Sequence, residues 1–167
     1  MKATRNEPAR GKDPDWTTGT LAGLKDGQLF IFDVAHFRVT PKQTQDRIRR
    51  TAELDGSRVV VWMEKEGGAS GKIASNHYVC DVLKGLNFHS VRSMGDMVTR
   101  AGSLSSAVER GNVFVVRGVY INAFLDEAEV FPEAERDDKV DSTSGAYLVL
   151  TRQRRRLGLI EFGQQLE

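Results

Sequence analysis

The stretch 57–72, SRVVVWMEKEGGASGK, narrows the folds open to this chain more than any other part of it. Five apolar residues run from Val59 to Met63, β-branched at first and aromatic at Trp62, and predict a strand buried on both faces. Glu64 closes that strand. A carboxylate at the end of a buried strand is costly unless it is paired, and a divalent cation is one natural partner. The plain alternative is that Glu64 only marks where the strand leaves the core. The glycine pair Gly67-Gly68 then turns the chain into a helix expected from about Ser70.

The flanking segments supply the rest of an α/β sheet. Residues 1–15 are polar and basic without periodicity, so they predict an arm ahead of a domain spanning 16–152, with a basic tail at 153–167. Residues 16–24 and 28–39 alternate around Asp26-Gly27, the signature of a β-hairpin. Thr40-Pro41 starts a helix that ends near Asp55-Gly56, with Ile48 and Ala52 inward and Thr44 and Thr51 beside them. Further helices are expected at 70–83, 99–110, 120–130 and 137–152, and short strands at 87–92 and 113–116. In these, Ile73, Ala74, Val79, Val82 and Leu83 face the sheet from one helix, and Phe124, Leu125 and Ala128 from another. Val140, Ala146, Tyr147, Leu148 and Leu150 stand at helical spacing in the last. A hairpin followed by alternating helices and short strands predicts a mixed sheet flanked by helices.

Charge is informative by its distribution. The 24 Lys and Arg nearly balance the 23 Asp and Glu, but the bases gather at both ends and acids gather between 126 and 141. Solvated charge runs account for each patch alone, whereas a protein that approaches a polyanion and holds cations needs both. Cys80, the one cysteine, excludes an intrachain disulfide and a cysteine-rich zinc site, and its helical context predicts a small core residue. No stretch has the length of a membrane span, so the expectation is a soluble protein of a reducing cytoplasm.

The acidic run Asp137-Asp138-Lys139-Val140-Asp141 opens the last helix. Asp138 and Asp141 share a face at three residues apart, and Asp137 and Asp141 at four. Capping explains one or two acids at a helix N-terminus, but not readily three. Carboxylates clustered there and meeting Glu64 would repel one another unless cations lay between them. Such oxygen donors suit Mg²⁺ or Mn²⁺, and two ions would activate a water and stabilise the leaving oxygen in phosphodiester hydrolysis.

Six segments together resemble a known family. They are DPDWT at 13–17, the strand ending in Glu64 with GGASGK at 67–72, GDMVTRA at 95–101, ERGNV at 109–113, FLDE at 124–127 with Phe131-Pro132, and DDKVDS at 137–142. In this order, over residues 12–150, they resemble the C-terminal nuclease domain of the large terminase subunit of tailed bacteriophages. The resemblance implies a ribonuclease H-like fold and a metal-dependent endonuclease that cuts concatemeric double-stranded viral DNA during packaging. It implies Mg²⁺ or Mn²⁺, two ions in a complete site, held by Glu64, Asp137, Asp138 and Asp141. Glu64, Asp138 and Asp141 are then the catalytic acids, and Lys72 and Arg100 match positions where bases face the DNA backbone. Partners implied are DNA, an ATPase motor domain, the portal and the small terminase subunit, in the cytoplasm of a bacterial host.

The pattern departs from the family at its start. The family's first catalytic aspartate lies on a central strand ahead of the segment matching residues 1–16, and Asp13 and Asp15 stand in the loop after it. The expectation is therefore a sheet with a gap where that strand would lie, and crippled cleavage. The alternative is a non-catalytic fragment of a phage or prophage protein that binds DNA or packaging proteins. A nucleotide-binding loop is a poorer match, since it needs a glycine at Glu66 and a Ser or Thr at Ile73.

Overall fold

The computed structural model describes residues 15–164 except 66, 93–96 and 134–135, with side chains through residue 153. The basic arm, apart from Asp15, lies outside the described residues, as do Glu66, Gly95 and Asp96. Strands β1 (Thr17–Lys25) and β2 (Gln28–Phe37) form the expected antiparallel hairpin. Asp26 and Gly27, at φ 51° and 84°, make its turn, a conformation that Asn, Asp and Gly adopt most readily. Helix α1 (Pro41–Asp55) starts in a capping box: the Gln43 amide donates to Thr40 Oγ1, and the Thr40 amide donates to Gln43 Oε1 at 3.1 Å.

Strand β3 (Val61–Lys65) leads into α2 (Gly68–His77), a π-helical turn (Tyr78–Val82) and β4 (Phe88–Arg92). Helix α3 (Met97–Glu109), β5 (Val113–Val115), α4 (Ile121–Val130) and α5 (Asp138–Gln164) complete the order. The backbone of α5 thus continues through most of the segment expected as a tail.

The strands fall into two sheets, β1-β2-β5 and β3-β4. β5 runs parallel to β2, and β4 parallel to β3. Among the described residues no ladder joins β1 to β3, so each keeps one edge without a strand neighbour. This explains a difference at β3. It begins two residues later than the apolar run, includes Glu64 within it, and leaves Val61, Trp62 and Met63 only half-buried, because a single strand neighbour covers less of it than two would.

Each sheet carries its own core. Leu29, Ile31 and Val34 of β2 pack with Leu104 of α3 and with Tyr120 and Phe124. The Tyr120 hydroxyl shares its proton between the Ile31 and Val116 carbonyl oxygens, at 2.7 and 2.8 Å. The smaller core joins Ala52 of α1 to Val82 and Leu83, flanked by Ile48, Val61, Tyr78, Leu86 and Phe88.

Three helices pack differently from their sequence pattern. In α2 the small Gly71 and Ser75 are buried while Ile73 and Ala74, and Val79 in the turn after it, are exposed. The Ser75 hydroxyl donates to Ser90 Oγ of β4 at 2.7 Å, a contact that needs the small face against the sheet. The extra residue in the following π-turn rotates Val82 and Leu83 inward and leaves Cys80 exposed rather than in the core. In α4, Phe124 and Glu127 are buried, whereas Leu125 and Ala128 face out. In α5, the fully buried residues are Thr143 and Ser144, whose hydroxyls donate to the Lys139 and Val140 carbonyls, each at 2.8 Å. That satisfaction allows small polar residues to pack flat on β1, where Thr20 Oγ1 donates to Ser142 Oγ at 3.0 Å and lies 3.1 Å from Thr143 Oγ1.

Candidate functional site

The seam between the two sheets brings one arginine and two acids together. Glu64 reaches it from β3, Asp141 from the first turns of α5, and Arg100 from the first turn of α3. The Arg100 guanidinium donates through one Nη to Glu64 Oε1 and through the other to Asp141 Oδ1, each at 2.5 Å. Its side chain is 7% exposed, against 39% for Glu64 and 31% for Asp141. The cation is therefore covered, and the two carboxylates keep an open side. Helix α5 passes close to Glu64, since a Cβ built on Gly145 would stand 3.5 Å from Glu64 Oε1.

The electrostatics show how demanding this arrangement is. Burial pushes the Asp141 carboxyl above its ordinary range; Arg100 opposes that shift, and the negative charges of Glu64 and Asp137 add to it. Burial works against the charge on Arg100, but the hydrogen bond to Glu64 and the charge of Asp141 outweigh it and raise its proton affinity.

The six residues singled out by the sequence are thus distributed unevenly. Glu64, Asp141 and Arg100 meet, and Asp137 is near enough for its charge to act on Asp141. Asp138 acts on His36 of β2, which stacks on Trp16 with centroids 4.3 Å apart and bonds to Thr18 Oγ1 at 2.7 Å. Lys72 stands exposed on α2. Arg100 is not a solvated surface charge, since its guanidinium is committed to two acids. Among the described residues, no three of the acids, histidines and cysteine form a group that could hold a metal ion.

Sequence reasoning gave no role to Glu127, which determines where α5 begins. Its side chain, 5% exposed, accepts from the Lys139 and Val140 amides at 2.6 and 2.9 Å and from Lys139 Nζ at 2.7 Å. A carboxylate from α4 thereby caps the first turn of α5, meeting both its unpaired amides and its dipole. The available signal was the spacing of Glu127 three residues after Phe124, on the same buried face.

Glu64 and Asp141 keep an open side and offer the carboxylate oxygens that hard divalent ions take, but one oxygen of each is engaged by the Arg100 guanidinium.

Fold and site together define an α/β domain of ribonuclease H-like type with an acidic pair at its sheet seam. Residues 7–150 match the family model described as the terminase RNaseH-like domain, and the chain belongs to that family. No curated protein matches it. Among the described residues, no helix is long and apolar enough to cross a membrane.

Proposed function

We propose that this chain is the nuclease domain of a phage or prophage large terminase subunit, a Mg²⁺- or Mn²⁺-dependent endonuclease that cuts concatemeric double-stranded DNA during packaging. The observation that carries the reading is the convergence of Glu64, from strand β3, and Asp141, from helix α5 and 77 positions away (141 − 64), around one positive charge. A bound ion would supply an activated water and stabilise charge on the leaving oxygen. Glu64 and Asp141 would hold it, with Asp137 adding negative potential beside them. Glu127 fixes the start of α5 and so the placement of Asp141. Lys72, exposed on the helix after β3, would meet backbone phosphates and position the duplex without reading sequence. In the cell the cut would be coordinated with an ATPase motor, a portal and a small terminase subunit.

The test is nicking of supercoiled plasmid with Mn²⁺. Cleavage should be abolished by Glu64→Ala and Asp141→Ala. Cleavage that survives Glu64→Ala would overturn the reading.

One observation favours a second reading, a non-catalytic domain that binds DNA or packaging proteins: among the described residues only two carboxylates converge, and an arginine lies between them. Salt-dependent DNA binding without cleavage under any divalent metal would select it.

A further inference from the structure

The position of Arg100 has a consequence for metal binding that rests on the nuclease reading just given. We propose that Arg100 is a built-in competitor: its guanidinium holds Glu64 and Asp141 together when no divalent ion is bound, and must release both carboxylates for an ion to bind between them. Arg100 is thus a positioning residue that determines how tightly this pair binds metal.

Three observations lead there. The guanidinium lies at 2.5 Å from one oxygen of each acid, so those two oxygens are engaged by the arginine. It is covered while the acids keep an open side, so the carboxylates meet solvent far more than the arginine does. The charge balance favours exchange over coexistence. Two carboxylates carry −2, which a divalent ion neutralises alone, whereas ion and guanidinium together would place +3 against them at close range. Without either cation, the acids would face each other across a partly buried gap, so the arginine also keeps the empty site assembled.

A purely structural role predicts the opposite response. If Arg100 only oriented the acids, with the ion bound on their remaining oxygens, neutralising it would weaken metal binding. The experiment is Mn²⁺ binding, followed by electron paramagnetic resonance, to the wild-type chain, Arg100→Gln and Arg100→Gln/Glu64→Gln. Arg100→Gln should bind about tenfold more tightly or better, the scale of losing one charge-assisted pair of hydrogen bonds. The double variant should lose that binding. Metal-free Arg100→Gln should melt below wild type and recover more on adding Mn²⁺.

Equal or weaker Mn²⁺ binding by Arg100→Gln would overturn the competitor role and leave the metal site standing. Binding by neither protein would overturn the metal reading itself, and the inference with it. A second measurement needs no variant: in wild type, the side-chain nitrogen resonances of Arg100 should shift as Mg²⁺ is added. Saturation with those resonances unmoved would overturn the proposal even if Arg100→Gln failed to fold.

Discussion

Glu127 lies almost fully inside the protein as a charged residue, and three donors meet it there: two amides at the start of α5 and the Lys139 ammonium. Removing the carboxylate leaves all three short of a partner. Glu127→Ala should therefore destabilise the domain by about 3–5 kcal/mol in chemical denaturation, and Glu127→Gln, which keeps an acceptor, by less. His36 gives the pH dependence. Its proton affinity is lowered first by burial and then by the Lys139 charge, with Arg136 adding to the effect and Asp138 and Glu127 opposing it. The folded state thus binds the proton less readily than the unfolded one. Stability is full above the unfolded value of about 6.5 and is lost as pH falls from there through the lowered folded value. His36→Phe, which keeps a ring against Trp16, should flatten this acid limb in melts between pH 7 and pH 5. Glu64 and Asp141 were legible as candidates because a carboxylate closes an apolar run and because three acids open one helix, more than capping readily explains. The place of Arg100 was not, because it depends on partners 36 and 41 positions away that no local pattern encodes.

Elements with local signals were legible in the sequence, and those ruled by packing were not. The hairpin follows from Asp26-Gly27 between alternating strands, and α1 from the Thr40-Pro41 start with its reciprocal cap. Helix α2 shows the limit. Its apolar residues suggested one buried face, but close approach to β4 selected the face with Gly71 and Ser75, and the π-turn then changed the phase. Helix α5 follows the same rule, since small side chains from Ser142 to Gly145 let it lie against β1 and pass beside Glu64. Gly145→Ala should be tolerated, because its methyl would make ordinary contact with Glu64 Oε1 at 3.5 Å. Gly145→Leu would extend a bulky side chain past the Glu64 carboxylate and should reduce Mn²⁺ binding while circular dichroism still reports a folded chain.

At the scale of the whole molecule, two unequal cores are joined at a seam where β1 and β3 share no ladder among the described residues. The β2 strand has neighbours on both sides and supplies Leu29 and Ile31 to the larger core. The β3 strand has one neighbour and half-buried side chains. Hydrogen exchange should therefore be slowest at β2 amides and markedly faster at β3, with opening of the smaller core preceding global unfolding. Uniform protection across both sheets would contradict this. The alternation of helices and strands made the α/β class readable, but the division of the sheet depends on which strands find neighbours, a long-range property.

Because Glu64 belongs to one half and Asp141 to the other, the gap between them behaves like the mouth of a pair of pliers whose handles are the two cores. A small rotation of one half against the other, too slight to disturb either core, would spread the acids or bring them together. Load applied to either half, as when a long polymer is pulled past the domain, would therefore act directly on the spacing of the two carboxylates.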